Sequence, residues 1–177
     1  MSQELLAQRC QEAAAVFQTA DGPRQLAQAI GQQVGFPLVM ADHPWLREAA
    51  GYLPAELLRE MEFAGESESL SPAQVDTAVL VGLGAVPETG AVLIAGRPPA
   101  AWRLSLCPRR LVVVIPAAQA ALSMAEALEI TAQEPSGLVS WLTGPSRTAD
   151  IEKVLVLGAQ GAAELAIIIY HARHISK

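Results

Sequence analysis

The chain has 177 residues, 51% of them hydrophobic and 17% charged, with a net charge of −6. This acidic balance, with a pI near 5.0, excludes phosphate-backbone binding as a main activity; Arg109-Arg110 is a basic pair, not a nucleic-acid patch. The length suits a single domain, 1–177, with enough apolar material to bury its own core. The two cysteines, Cys10 and Cys107, are too few for an iron–sulfur cluster or a closed zinc site. Both are expected to be small buried hydrophobes.

The start, Met1-Ser2-Gln3-Glu4, lacks the basic and apolar regions of a signal peptide. The longest apolar runs, 111–115 and 165–170, are far shorter than the roughly 20 residues a spanning helix needs. The expectation is therefore a soluble, cytoplasmic protein with no membrane segment, no nucleic-acid partner and no metal or cofactor of its own. A positive mean hydropathy of +0.29 leaves room for a homo-oligomer.

In chain order, Leu5, Leu6, Cys10, Ala13, Ala14 and Phe17 recur at helical spacing over residues 3–18. Asp21-Gly22-Pro23 breaks that helix, and Leu26, Ala29, Ile30 and Val34 mark the next one. Residues 36–40 read as a short buried strand, and 45–50 and 54–63 as helices separated by Gly51. Residues 64–72 are polar and read as a loop. From Thr77 onward come short continuous apolar runs at 77–81, 91–95, 111–115 and 165–170, with a weaker one at 138–142. Continuous rather than alternating runs indicate strands covered on both faces, hence a largely parallel sheet. Residues 117–128 lie between two strands and read as a helix. The whole predicts an open α/β layer fold: a helical N-terminal cap over residues 1–70 and an α/β core over 71–177.

Two segments have the chemistry of a site. In Gly144-Pro145-Ser146-Arg147-Thr148-Ala149-Asp150 a turn comes after the weak strand, and Ser146 and Thr148 are helix-capping types with Asp150 behind them. Free backbone N–H groups at such a helix start would receive an anion, with Arg147 as a fork-shaped donor. The alternative is an ordinary helix cap with a solvated arginine, and the run at 154–157, at helical spacing with Ile151, could also be a strand. In Val86-Pro87-Glu88-Thr89-Gly90 a lone carboxylate sits at a strand end, where open α/β sheets meet ligands, or else in a plain surface turn. Gly82-Leu83-Gly84 lacks the third glycine and subsequent helix of a dinucleotide fingerprint. His171 and His174 have chelating spacing without a third ligand, His43 reads as a turn residue, and Trp45, Trp102 and Trp141 read as packing anchors.

The stretch 143–152, together with 154–158 and Gly161, resembles the hallmark of the LUD family: a Gly-Pro-Ser-Arg-Thr-Ala-Asp-Ile-Glu run, then a glycine-containing apolar stretch and a final strand. Glu88-Thr89-Gly90 before the run at 91–94 is similar to a second family signature, and 104–115 resembles the family's next stretch after that signature. The resemblance covers about half the chain, from Thr77 to Tyr170. It implies a fold similar to the ribose-phosphate isomerase and CoA-transferase superfamily. It also implies a part in oxidising L-lactate to pyruvate beside iron–sulfur oxidoreductase subunits, this chain being the cluster-free member that binds a small anionic ligand. On that reading Gly144, Ser146, Arg147, Thr148 and Asp150 hold the ligand near Glu88. Where the family has a histidine and then a proline this chain has Gln160 and Ala162, and Leu83 stands in the stretch where the family has an acid. The other expectations are an enzyme on a phosphorylated sugar or acyl-CoA with Glu88 as nucleophile or base, by analogy of fold, and a non-catalytic assembly or regulatory module.

Overall fold

The computed structural model describes residues 2–59, 61–64, 71, 74–96, 99–145, 147–149, 155–157 and 161–172. The first helix, α1 (Ser2–Glu12), buries Leu6 and Cys10. It stops short of the expected residue 18. Ala14 takes a positive φ of 58° and turns the chain, and Val16 and Phe17, β-branched and aromatic, enter the strand β1 (Val16–Asp21) instead. After Gly22 comes α2 (Pro23–Gly31), with proline in its first turn. Then come β2 (Leu38–Met40), α3 (Pro44–Ala50), α4 (Ala55–Arg59) and β3 (Met61–Phe63). The helix expected over 54–63 thus ends at Arg59, and its last residues join the sheet. The described residues among the first 70 supply four helices but also three strands of the central sheet. They are part of the core and not a separate helical cap.

The second part of the chain gives β4 (Thr77–Val81), β5 (Gly84–Val86), β6 (Ala91–Ala95), α5 (Pro99–Leu104) and β7 (Arg110–Pro116). A 3-10 turn at Ala117–Gln119 precedes α6 (Met124–Gln133). This helix begins later than expected because Ser123 and Glu126 form a capping box across its first turn. The remaining strands are β8 (Val139–Leu142), β9 (Arg147–Ala149), β10 (Leu155–Leu157) and β11 (Glu164–His171).

Six strands form one sheet in the order β1-β11-β7-β4-β2-β3, and every neighbouring pair in it is parallel. One face is covered by α2 and α3, whose Leu26, Ile30 and Leu46 meet Met40, Val112, Val114 and Ile168. The other face is covered by α1, α5 and a second, antiparallel sheet of order β5-β6-β8. Leu6, Leu104, Val92 and Ile94 there meet Leu111, Val113, Ile115 and Ile167. Continuous apolar strands result from this double cover. The chain steps between the sheets through Gly82-Leu83-Gly84. A Cβ on Gly82 would lie 2.9 Å from the Leu93 carbonyl oxygen, and one on Gly84 3.0 Å from that of Gln119. The paired glycines are a close-packing device.

Thr77, Arg110 and Glu164 begin three adjacent strands in register. The Arg110 guanidinium bridges Asp76 Oδ2 at 2.7 Å and Glu164 Oε2 at 2.8 Å, and Arg109 reaches Glu164 Oε1 at 3.1 Å. Gly35 gives this lattice room, since a side chain there would overlap both Arg110 and Asp76. Its N–H donates to Thr77 Oγ1 at 2.9 Å.

Candidate functional site at the amino-terminal edge of the sheet

Glu88 lies in the tight turn joining β5 to β6 and is exposed. The Gly90 N–H donates to the Val86 carbonyl at 2.9 Å, and Gly90 takes a φ of 70°. A side chain at Gly90 would meet the Arg9 Cβ at 2.8 Å, so the turn rests on the last turn of α1. Gly144 comes after β8 with a φ of 131°, and a side chain there would meet the Ala13 Cβ at 2.9 Å. The Ala13 N–H donates to the Arg9 carbonyl at 3.0 Å; the two contact points are one helical turn apart. Strand register agrees: Leu142 pairs with Val92 in antiparallel fashion, and two further steps bring Gly144 towards Gly90. Two segments more than fifty residues apart therefore converge on the end of α1 because neither carries a Cβ at the point of contact.

Beyond Gly144 the structure departs from the expected helix start. Arg147, Thr148 and Ala149 are in β9, paired with Leu157, Val156 and Leu155 of β10. The Leu-Val-Leu run at 155–157 forms a strand that takes its pairing partners from the segment 147–149. Among the described residues, 147–149 are paired strand and not a helix start with free N–H groups. Ser146, Asp150, Gln160 and His174 lie outside the described residues, as do 65–70 of the expected loop.

The convergence also lies at the edge of the sheet opposite to the expected one. Open α/β sheets usually meet ligands outside the carboxyl ends of their strands. Here Gly144 and Gly161 line a small cavity of about 60 Å³ with Leu111 and Leu165, near the starts of β7 and β11. Gly161 also borders a cleft of about 560 Å³ with Phe36, Val75, Asp76, Cys107 and Arg109, on the segments leading into β2, β4, β7 and β11. The motif residues and the cleft share the amino-terminal edge. Cys107, expected to be buried, is exposed there, whereas Cys10 is buried and its thiol is pushed up to about 11 by that burial. Arg109, Asp76 and Cys107 were missed as site residues. The signal was present in Cys107-Pro108-Arg109-Arg110 just before a buried strand.

At the carboxyl edge the polar side chains serve the fold. Asp42 pairs with Arg47, whose guanidinium lies 4.4 Å from the Phe63 ring centroid, and Trp45 packs on Tyr170 at 5.0 Å. His43 is the N-cap of α3, its Nδ1 accepting from the Trp45 N–H at 3.2 Å. Burial holds the imidazole below the usual histidine range, against the weaker upward pull of Asp42. The unfolded chain then binds the proton more readily than the folded one. His43's contribution is complete above the unfolded value of about 6.5 and is lost as pH falls through the lower folded value. Thermal melts between about pH 7.5 and pH 5 are expected to show falling stability, with a shallower fall in His43→Asn, whose amide caps without titrating. An equal slope in both proteins would assign the acid sensitivity elsewhere.

An open parallel sheet covered by helices on one face and by helices and a small antiparallel sheet on the other places the chain among α/β layer proteins. The chain matches over 96% of its length a DUF162 family protein from Deinococcus radiodurans, with a TM-score of 0.71, 19% identity and 96% of that chain covered; the likeness is one of fold. The sequence model of the LUD domain matches residues 65–170, and the chain belongs to the LUD domain family. Lactate utilization protein C of Geobacillus thermodenitrificans (strain NG80-2) is 29% identical, covering 82% of this chain and 68% of that one. The protein of that name in Geobacillus kaustophilus (strain HTA426) is 28% identical over the same shares. Among the described residues no helix is long and apolar enough to cross a membrane, and no group of three or more His, Cys, Asp or Glu side chains could hold a metal ion.

Proposed function

We propose that the chain serves lactate utilisation as a ligand-binding subunit that carries no iron–sulfur cluster, working beside iron–sulfur oxidoreductase subunits in the cytoplasm. The observation that carries this reading is the similarity to two proteins named lactate utilization protein C over 82% of the chain, within a family match across 65–170. The convergence of the Glu88 turn and Gly144 on one turn of α1 supports a shared site for a small anion, with Gly144, Ser146, Arg147, Thr148 and Asp150 as the receiving segment. Arginine supplies paired donors for a carboxylate. With two cysteines, one buried and one exposed, the chain depends on partners for electron transfer. Catalysis by Glu88 on a phosphorylated sugar or acyl-CoA has less support, because Glu88 is exposed on its turn.

Deleting the gene is expected to abolish growth on L-lactate while leaving growth on pyruvate intact. The wild-type copy should restore it and Arg147→Ala should not, and a tagged copy should recover cluster-bearing subunits. Undiminished growth of the deletion strain on L-lactate would end this reading.

A further inference from the structure

The cleft of about 560 Å³ at the amino-terminal edge has the size of a pocket for a cofactor-sized molecule, within the usual range of about 300–1,000 Å³. A three-carbon acid would leave most of it to water. Its walls are of two kinds. Phe36, 39% exposed, and its neighbours Pro37 and Pro108 give an apolar side. Arg109 gives a cationic one: its side chain is 62% exposed, and a single Nη2 hydrogen bond ties it to Glu164. A guanidinium has five N–H donors, so most of this one remains available. Glu164 is itself held by Arg110, and Asp76 by Arg110 and Thr77, so these two carboxylates are already committed.

We propose that this cleft binds an amphipathic anion, its carboxylate or phosphate head on Arg109 and its apolar body along Phe36, Pro37 and Pro108. The site is distinct in size from one for lactate, and the proposal stands or falls separately from the lactate role.

Cys107 lies in the same cleft and is exposed, while Cys10 is buried, which makes Cys107 a reporter in the folded full-length chain. The Cys107 thiolate of the wild type should displace one equivalent of thionitrobenzoate from dithiobis(nitrobenzoate), keeping the other half as a mixed disulfide, and Cys107→Ser should displace almost none. Decanoate and decyl phosphate, kept below micelle-forming concentrations, are expected to slow that release at least about fivefold. L-Lactate and inorganic phosphate should change it less than about twofold. Decanol should protect about tenfold less well than decanoate, the difference a charge-assisted hydrogen bond makes. Arg109→Ala should remove the preference for the charged probes, and Phe36→Ala should weaken decanoate and decanol alike. Which of decanoate and decyl phosphate protects at the lower concentration identifies the head group. Equal protection by L-lactate and decanoate, equal protection by decanol and decanoate, or an unaltered preference in Arg109→Ala would overturn the proposal.

Discussion

Ile167→Ala and Ile168→Ala are each expected to destabilise the protein by about 3–4 kcal/mol, the cost of emptying a fully buried isoleucine site. The two residues are consecutive in β11 and point to opposite faces. Ile167 packs with Val113 and Ile115 under the small sheet, and Ile168 packs with Val112 and Val114 under α2 and α3. Their exposures are 1% and 0%. In a sheet covered on one face only, one of the pair would be nearly silent. Here both should lower the melting temperature by on the order of 10 °C, at about 2–4 °C per kcal/mol for a domain of this size. Parallel calorimetry of the two variants checks it, and a harmless member of the pair would show that one cover is not in place.

Gly144→Val is expected to have the larger consequence for function. The residue has a φ of 131°, a region that side-chain-bearing residues enter only with strain of about 1–3 kcal/mol. A Cβ would also press on Ala13, and overpacking adds about 1–3 kcal/mol. The variant should lose several kcal/mol and shift the turn after β8 away from α1. Ala13→Gly is expected to recover part of the loss, because it relieves the contact but not the backbone strain. Denaturant melts of the two single variants and the double variant measure that coupling. A double variant no more stable than Gly144→Val would show that the contact with α1 does not matter.

The parts of the fold legible in the sequence were those in which a strand is buried on both sides. Residues 77–81, 91–95, 111–115 and 165–170 announce themselves as continuous apolar runs. The strands that escaped notice have no such signal. Val16–Asp21 is the outermost strand, with mostly exposed or half-buried positions and a glutamine in the middle. Met61–Phe63 forms the opposite edge with three half-buried residues. Edge strands need cover on fewer sides, so their composition drifts towards that of loops and helices. The site was legible as two segments but not as a place. Which end of a parallel sheet a residue occupies depends on the direction of its strand and on the strands beside it. Gly161, Cys107 and Arg109 become neighbours only when β7 and β11 lie side by side. After Gly144 the sequence leaves 154–157 open between helix and strand, and the choice falls to the strand because 155–157 pair with 147–149, a contact that local capping preferences do not encode.

The position of β11 also sets a requirement on how the chain assembles. This strand, late in the sequence, lies between β1 and β7 and pairs with both along its length, Ala166 beside Val16 and Val112. A ribosome delivering this chain in order produces β1 and β7 long before the strand that joins them. Until then each has an edge of unpaired backbone N–H and C=O groups open to a wrong neighbour. Folding must hold a slot open for this piece, and a chain shortened before residue 164 would lack an interior strand rather than a trailing one. Such a product should be insoluble or captured by chaperones.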